Sequence, residues 1–186
     1  YNLNRIAGKW YTAYPPLCRQ YTRISPLDYF GRTLVDGLPE EISVGVISVA
    51  VGGASIDLFD EDKAIGYLNS SYPWIKEIAR EYNNNPFRKL INTAKEAQKS
   101  GVIKGILLHQ GESDNGDEDW PNKVKTIYEK ILDELSLKAE NVPLLVGELV
   151  SEEEGGVCSD HNKIIAKIPN VIPNSYVISS EGCKSY

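Results

Sequence analysis

An apolar run that passes without transition into a cluster of titratable groups constrains this chain more than any other stretch in it. Ile103, Ile106, Leu107 and Leu108 are branched and apolar, and His109-Gln110-Gly111-Glu112-Ser113-Asp114 follows at once. A short run of that kind reads as a strand buried on both faces, the form that parallel sheets use. In open α/β sheets ligands sit at the carboxyl ends of the strands. A strand that empties into a histidine, an amide and two carboxylates therefore points at a reaction site. A polar loop that is merely solvated is the alternative reading.

The rest of the chain fits around that strand. Ser25-Pro26 predicts a helix start, with a serine cap and proline at the first helical position. Gly37 is its stop. The β-branched run 43–51 predicts a strand, and it leads into Gly52-Gly53-Ala54-Ser55. Helices are expected from Pro73 to about Tyr82 and from Pro86 to about Lys99. The strand that leads into His109 then covers 102–108. Pro121 opens a longer helix, with Val124, Ile127, Tyr128, Ile131, Leu132 and Leu135 at helical spacing. A strand over 142–150, a short helix near 161–168 and a strand over 175–179 complete the order. Strands alternating with helices predict an α/β fold, a parallel sheet with helices on both faces.

Three stretches could carry chemistry. In the Gly52-Gly53 turn, a backbone N–H can approach a ligand with no side chain in the way. It is not a phosphate loop, because the lysine and the spaced glycines are missing. In the second stretch, the Gln110 amide can donate to a developing oxyanion. Glu112 can orient a histidine as the acid of a triad does, and His109 is a candidate general base or a structural histidine. The third, Glu152-Glu153-Glu154, reads as a solvated charge run, because oxygen-ligand metal sites need spaced ligands. Residues 1–24 carry Trp10, Tyr11, Tyr14 and Tyr21. They read as a loop pinned by aromatics, with a sugar-stacking surface as the alternative.

Composition narrows the classes. The 186 residues, 41% hydrophobic and 25% charged, suit one domain with a sizeable core. A net charge of -6 argues against a nucleic-acid partner, and no apolar stretch is long enough to span a membrane. Cys18, Cys158 and Cys183 have no paired short spacing and only two histidines to join them, so no metal is expected. A disulfide between Cys158 and Cys183 and a pair of free thiols are equally compatible with the sequence. The chain contains no methionine, which predicts that it has been processed, excised or only partly represented.

The blocks Val46-Ile47-Ser48-Val49-Ala50-Val51-Gly52-Gly53 and His109-Gln110-Gly111-Glu112-Ser113 resemble two conserved blocks of carbohydrate esterase family six. That is the acetylxylan esterase group of the SGNH hydrolase superfamily, related to sialate O-acetylesterases. Asp28-Tyr29-Phe30-Gly31-Arg32 and Trp120-Pro121 fit the same pattern, and the resemblance runs along the whole chain. It implies a secreted carbohydrate O-acetylesterase with a three-layer, flavodoxin-like parallel sheet. The partner would be an acetylated polysaccharide or oligosaccharide, and no cofactor is implied. Gln110 and Glu112 would be catalytic, with Gly52, Gly53 and His109 at the oxyanion and substrate-binding positions.

Two blocks of that family are missing. No Gly-Gln-Ser-Asn sequence supplies a nucleophile, and no Asp-x-x-His sequence supplies a base. The resemblance thus implies a single esterase domain over 1–186, truncated at both ends and lacking its first, central strand. The serine and the histidine would come from outside the chain, through a second chain or segment, and the 186 residues alone would be inactive. A degenerate esterase fold that binds carbohydrate or serves as a scaffold without catalysis is the other reading.

Overall fold

The computed structural model describes residues 9–19 and 21–184, so positions 1–8 and 20 of the aromatic stretch lie outside the described residues. The chain groups into two compact units, 1–50 with 88–102, and 51–87 with 103–186.

In the first unit, α1 spans Pro26–Gly37, as the serine and proline predict. The Asp28 carboxylate accepts from the Ser25 N–H at 2.7 Å and from the Ser25 hydroxyl at 2.9 Å. An acid in the first turn of a helix also faces the positive end of its dipole. The strand expected over 43–51 is absent. Residues 42–50 carry no regular structure, and all of them are half-buried or exposed. β-branched residues fit a pleated surface, but a strand also needs a neighbour for its N–H and C=O groups. No described strand pairs with this segment. Trp10 packs across it instead: a Cβ built on Gly45 would lie 2.7 Å from the indole ring. The Trp10 indole donates to Ser100 Oγ at 2.6 Å.

The second unit holds the sheet. Strands β1 (Ile106–Leu108), β2 (Leu144–Gly147) and β3 (Ser175–Ile178) lie in the order β1-β2-β3. Both pairings are parallel, with Ile106 opposite Leu144 and Leu144 opposite Ser175. The fold is therefore mixed helix and parallel sheet, compatible with an α/β class. β1 is shorter than the 102–108 expected, and Pro143 explains why. Ile106 donates to the Pro143 carbonyl at 2.9 Å. The next rung toward the N-terminus needs an N–H at position 143, which proline lacks.

Six further α-helices lie among the described residues: α2 (Ala64–Ser70), α3 (Pro73–Arg80), α4 (Pro86–Ala97), α5 (Trp120–Glu134), α6 (Asn162–Ile165) and α7 (Ile168–Val171). The sequence reading missed α2, and the helix expected near 161–168 is broken into two single turns. Pro169 accounts for the break, because proline cannot donate inside a helix but suits its first turn. Along α5, Trp120, Val124, Ile127, Tyr128 and Ile131 are buried. That stripe, with Leu144 and Val146 of β2 and Ile165 and Ile168, forms the core of this unit. The Tyr128 hydroxyl donates to the Val142 carbonyl at 2.7 Å, tying α5 to the start of β2. Beyond β2 the Asn162 side chain mimics a strand. Its Oδ1 accepts from Leu149 N and its Nδ2 donates to Leu149 O, both at 2.8 Å. No described helix is long and apolar enough to cross a membrane. Cys18, Cys158 and Cys183 form no disulfide among the described residues.

Candidate active site

The two glycine-containing turns singled out in the sequence meet at the carboxyl end of β1. Although no strand leads into it, the Gly52-Gly53 turn lies beside the His109–Asp114 turn. The Ser113 hydroxyl donates to Gly53 O at 2.6 Å, and Gln110 Nε2 donates to Ala54 O at 3.1 Å. The Ser55 N–H donates to the Tyr67 hydroxyl at 3.0 Å, anchoring the glycine turn on α2.

Asp114, to which sequence reasoning gave no role, is the hub of this junction. Its side chain is buried and accepts from the Ser55 hydroxyl at 2.6 Å and from Ile56 N at 2.9 Å. The Gln110 amide also donates to it. Hydrogen bonds to an ionised acceptor are among the stronger ones a protein makes. The only signal in the sequence was position: Asp114 lies four residues after Gln110, close enough for a turn to bring both side chains together.

The Gln110 amide is fully engaged. Its NH2 serves Ala54 O and Asp114, and its Oε1 accepts from the Trp120 indole N–H at 2.6 Å. Trp120 is itself fully buried, as the first residue of α5. Glu112 and His109 are exposed. The His109 ring lies over β2, where a Cβ on Gly147 would meet its Cδ2 at 3.0 Å. Gly53 has φ +67, a left-handed conformation that favours glycine. Its N–H has no hydrogen-bond partner among the described residues.

His161 is the second residue the sequence did not reveal. It is 0% exposed and packs edge-on to Trp120, with ring centroids 5.1 Å apart. Neither ring nitrogen has a hydrogen-bond partner among the described residues. Burial pushes its pKa below the ordinary value of 6.5, against the opposing pull of Asp114, Asp117, Glu112 and Glu118. The ring is therefore neutral at pH 7. Gly111 makes room for it: φ is +148, and a Cβ there would lie 2.6 Å from His161 Cδ2. On the rim, Lys123 bonds Asp117 at 2.7 Å. That bond holds the Asp117 carboxyl below the usual range and the Lys123 ammonium above it. No described cluster of three or more His, Cys, Asp or Glu side chains is placed to hold a metal ion.

Together these features describe a protein of mixed helix and parallel sheet, compatible with an α/β class, whose polar turns converge where a parallel strand ends, the usual ligand position of α/β sheets. The family model for carbohydrate esterase, sialic acid-specific acetylesterase, matches residues 3–186. The chain belongs to that family. No solved structure gives a significant match.

Proposed function

We propose that the chain is the central part of a secreted carbohydrate O-acetylesterase of the acetylxylan esterase type, built on a three-layer, flavodoxin-like sheet. The reading is carried by one observation, the hydrogen-bonded junction of the Gly52-Gly53 and His109–Asp114 turns at the carboxyl end of β1. The reaction is acyl transfer. A serine oxygen attacks the acetyl carbonyl and its proton passes to a histidine. The sugar leaves with that proton, and water then releases acetate from the acyl-enzyme.

In this proposal the serine, the histidine and the central strand lie outside the 186 residues, on a further segment or a second chain. The Gly53 N–H is the first oxyanion donor. The Gln110 N–H is the second, and it reaches the oxyanion by exchanging its bond to Ala54 O. Glu112, exposed and on the same turn, holds the incoming histidine, and His109 shapes the turn. The substrate is an acetylated polysaccharide or oligosaccharide, and no cofactor enters the chemistry.

Active-site labelling tests the reading. An organophosphonate should leave every serine of this chain unmodified and label one serine of the catalytically complete enzyme. There, Gln110→Ala should lower kcat about a hundredfold with little change in KM, because a donor to the oxyanion acts on charge present only in the transition state. Stoichiometric labelling of Ser55, Ser113 or another serine of this chain would show that the nucleophile is misplaced. No esterase activity in the complete protein would leave the family fold as a non-catalytic carbohydrate-binding module.

A further inference from the structure

Two aromatic rings stand in solvent beside the glycine turn. Tyr72 is 70% exposed and Trp74 is 47% exposed. Their planes lie within 9° of parallel with centroids 6.5 Å apart. Neither ring is a stray surface residue, because Trp74 reaches Gly53: a Cβ on that glycine would sit 2.5 Å from Trp74 Cη2. The absence of a side chain at 53 thus lets the indole lie against the turn whose N–H is the candidate oxyanion donor. The stiff backbone around Pro73, at the start of α3, fixes the two residues that flank it.

Such rings carry a negative face and bury a large area when covered. Two of them, stacked on each other and exposed next to a polar site, offer a ligand apolar area to bury. The C–H groups on one face of a pyranose present a flat, weakly positive surface that suits such a platform.

We propose that Tyr72 and Trp74 form a sugar platform, on which the pyranose bearing the acetyl group stacks while its ester carbonyl lies at Gly53. The inference rests on the esterase reading and adds to it the residues that hold the sugar. It also relocates the carbohydrate contact from the aromatic stretch near the N-terminus to the start of α3. Trp74 binds the ring nearer the ester, and Tyr72 extends the platform outward.

Two measurements separate this inference from the esterase reading. The first needs no catalysis: NMR titration of the protein with deacetylated xylotriose and with N-acetylneuraminic acid, following the backbone N–H of Gly53, which lies against the Trp74 ring and is kept in every variant at 72 and 74. At least one sugar should shift that resonance in a saturable way. Trp74→Ala and Tyr72→Ala should each weaken its binding at least about fivefold, and Trp74→Phe should restore most of it. The second compares kcat/KM for an acetylated xylo-oligosaccharide with that for triacetin, an acyclic acetyl ester with no ring to stack. Trp74→Ala should lower the ratio of the two about tenfold, chiefly through KM on the sugar substrate.

Equal losses on both esters would make Trp74 a support for the Gly53 turn and overturn the platform. Absence of any sugar-dependent shift would overturn it as well. Sugar binding through Trp74 in a protein that cleaves no ester would keep the platform and remove the esterase reading.

Discussion

Replacing Gly111 by alanine tests how the buried histidine and the His109–Asp114 turn depend on each other. The substitution meets two separate penalties. At φ +148 an L-residue is strained, which costs about 1–3 kcal/mol. The new Cβ would also lie 2.6 Å from Cδ2 of His161 and 3.0 Å from its Nε2. That ring cannot retreat, because it is 0% exposed and held edge-on against Trp120. Overpacking of that kind adds about 1–3 kcal/mol. The sum, about 2–6 kcal/mol, corresponds to a Tm lower by roughly 5–20 °C in a chain of this size.

Gly116 supplies the control. It has φ +82, but a Cβ there meets nothing within 4 Å, so Gly116→Ala should show backbone strain alone, about 1–2 kcal/mol. Urea unfolding of Gly111→Ala, Gly116→Ala, His161→Ala and the Gly111→Ala/His161→Ala double variant separates the terms. Removing the ring should relieve the steric part. The double variant should then be more stable than the two single losses predict, by about 1–3 kcal/mol. Equal losses at positions 111 and 116, or strict additivity of the pair, would refute the claim that Gly111 is required by the histidine.

Three further outcomes follow from the same site. The unfolded chain binds a proton at His161 near pH 6.5 and the folded chain binds it only at lower pH, because burial depresses that pKa. Stability from this group should therefore be complete above about pH 7. It should fall as pH drops through 6.5, at no more than about 1.4 kcal/mol per pH unit, and His161→Phe should flatten that slope in thermal melts between pH 5 and 7.5. Asp114→Ala leaves the Ser55 hydroxyl, Ile56 N–H and Gln110 amide without their acceptor, and should cost at least about 3 kcal/mol in urea unfolding, with Asp114→Asn in between. Trp120→Phe removes the donor to Gln110 Oε1. It should cost about 1 kcal/mol for that bond and make the Gln110 side-chain amide exchange faster with solvent hydrogen.

Apolar runs and caps located most of the elements. Ser25 and Pro26 placed α1, Pro86 placed α4, and the periodic stripe from Val124 to Ile131 placed α5, because those signals are local. The strand over 43–51 failed for the opposite reason. Its β-branched residues state a preference, and pairing is a property of a neighbour that the residues themselves cannot supply. The same limit cut β1 back to Ile106, since the decisive residue, Pro143, lies on another strand. At the site, the Gly-Gly and His-Gln-Gly-Glu runs marked two turns that hydrogen bonds join. Asp114 and His161 stayed hidden because their roles arise across long separations: Asp114 to Ser55, and His161 to Gly111 and Trp120. Tyr72 and Trp74 carried no periodic signal, and only the approach of the indole to Gly53 marks them.

The closed set of bonds around Gln110 divides the neighbourhood into two kinds of position with different freedom to drift. Every polar atom of that amide is spoken for, so even its isostere glutamate would turn a donor into an acceptor facing the Ala54 carbonyl and Asp114. Gln110, Asp114, Ser55 and Trp120 are coupled through these bonds, so a change at any one of them leaves a partner's polar atom unpaired. Tyr72 and Trp74 make no side-chain bond to that set of four and stand partly in solvent. A descendant that comes to prefer a new sugar would acquire it by rewriting those two rings while the inner four stay as they are.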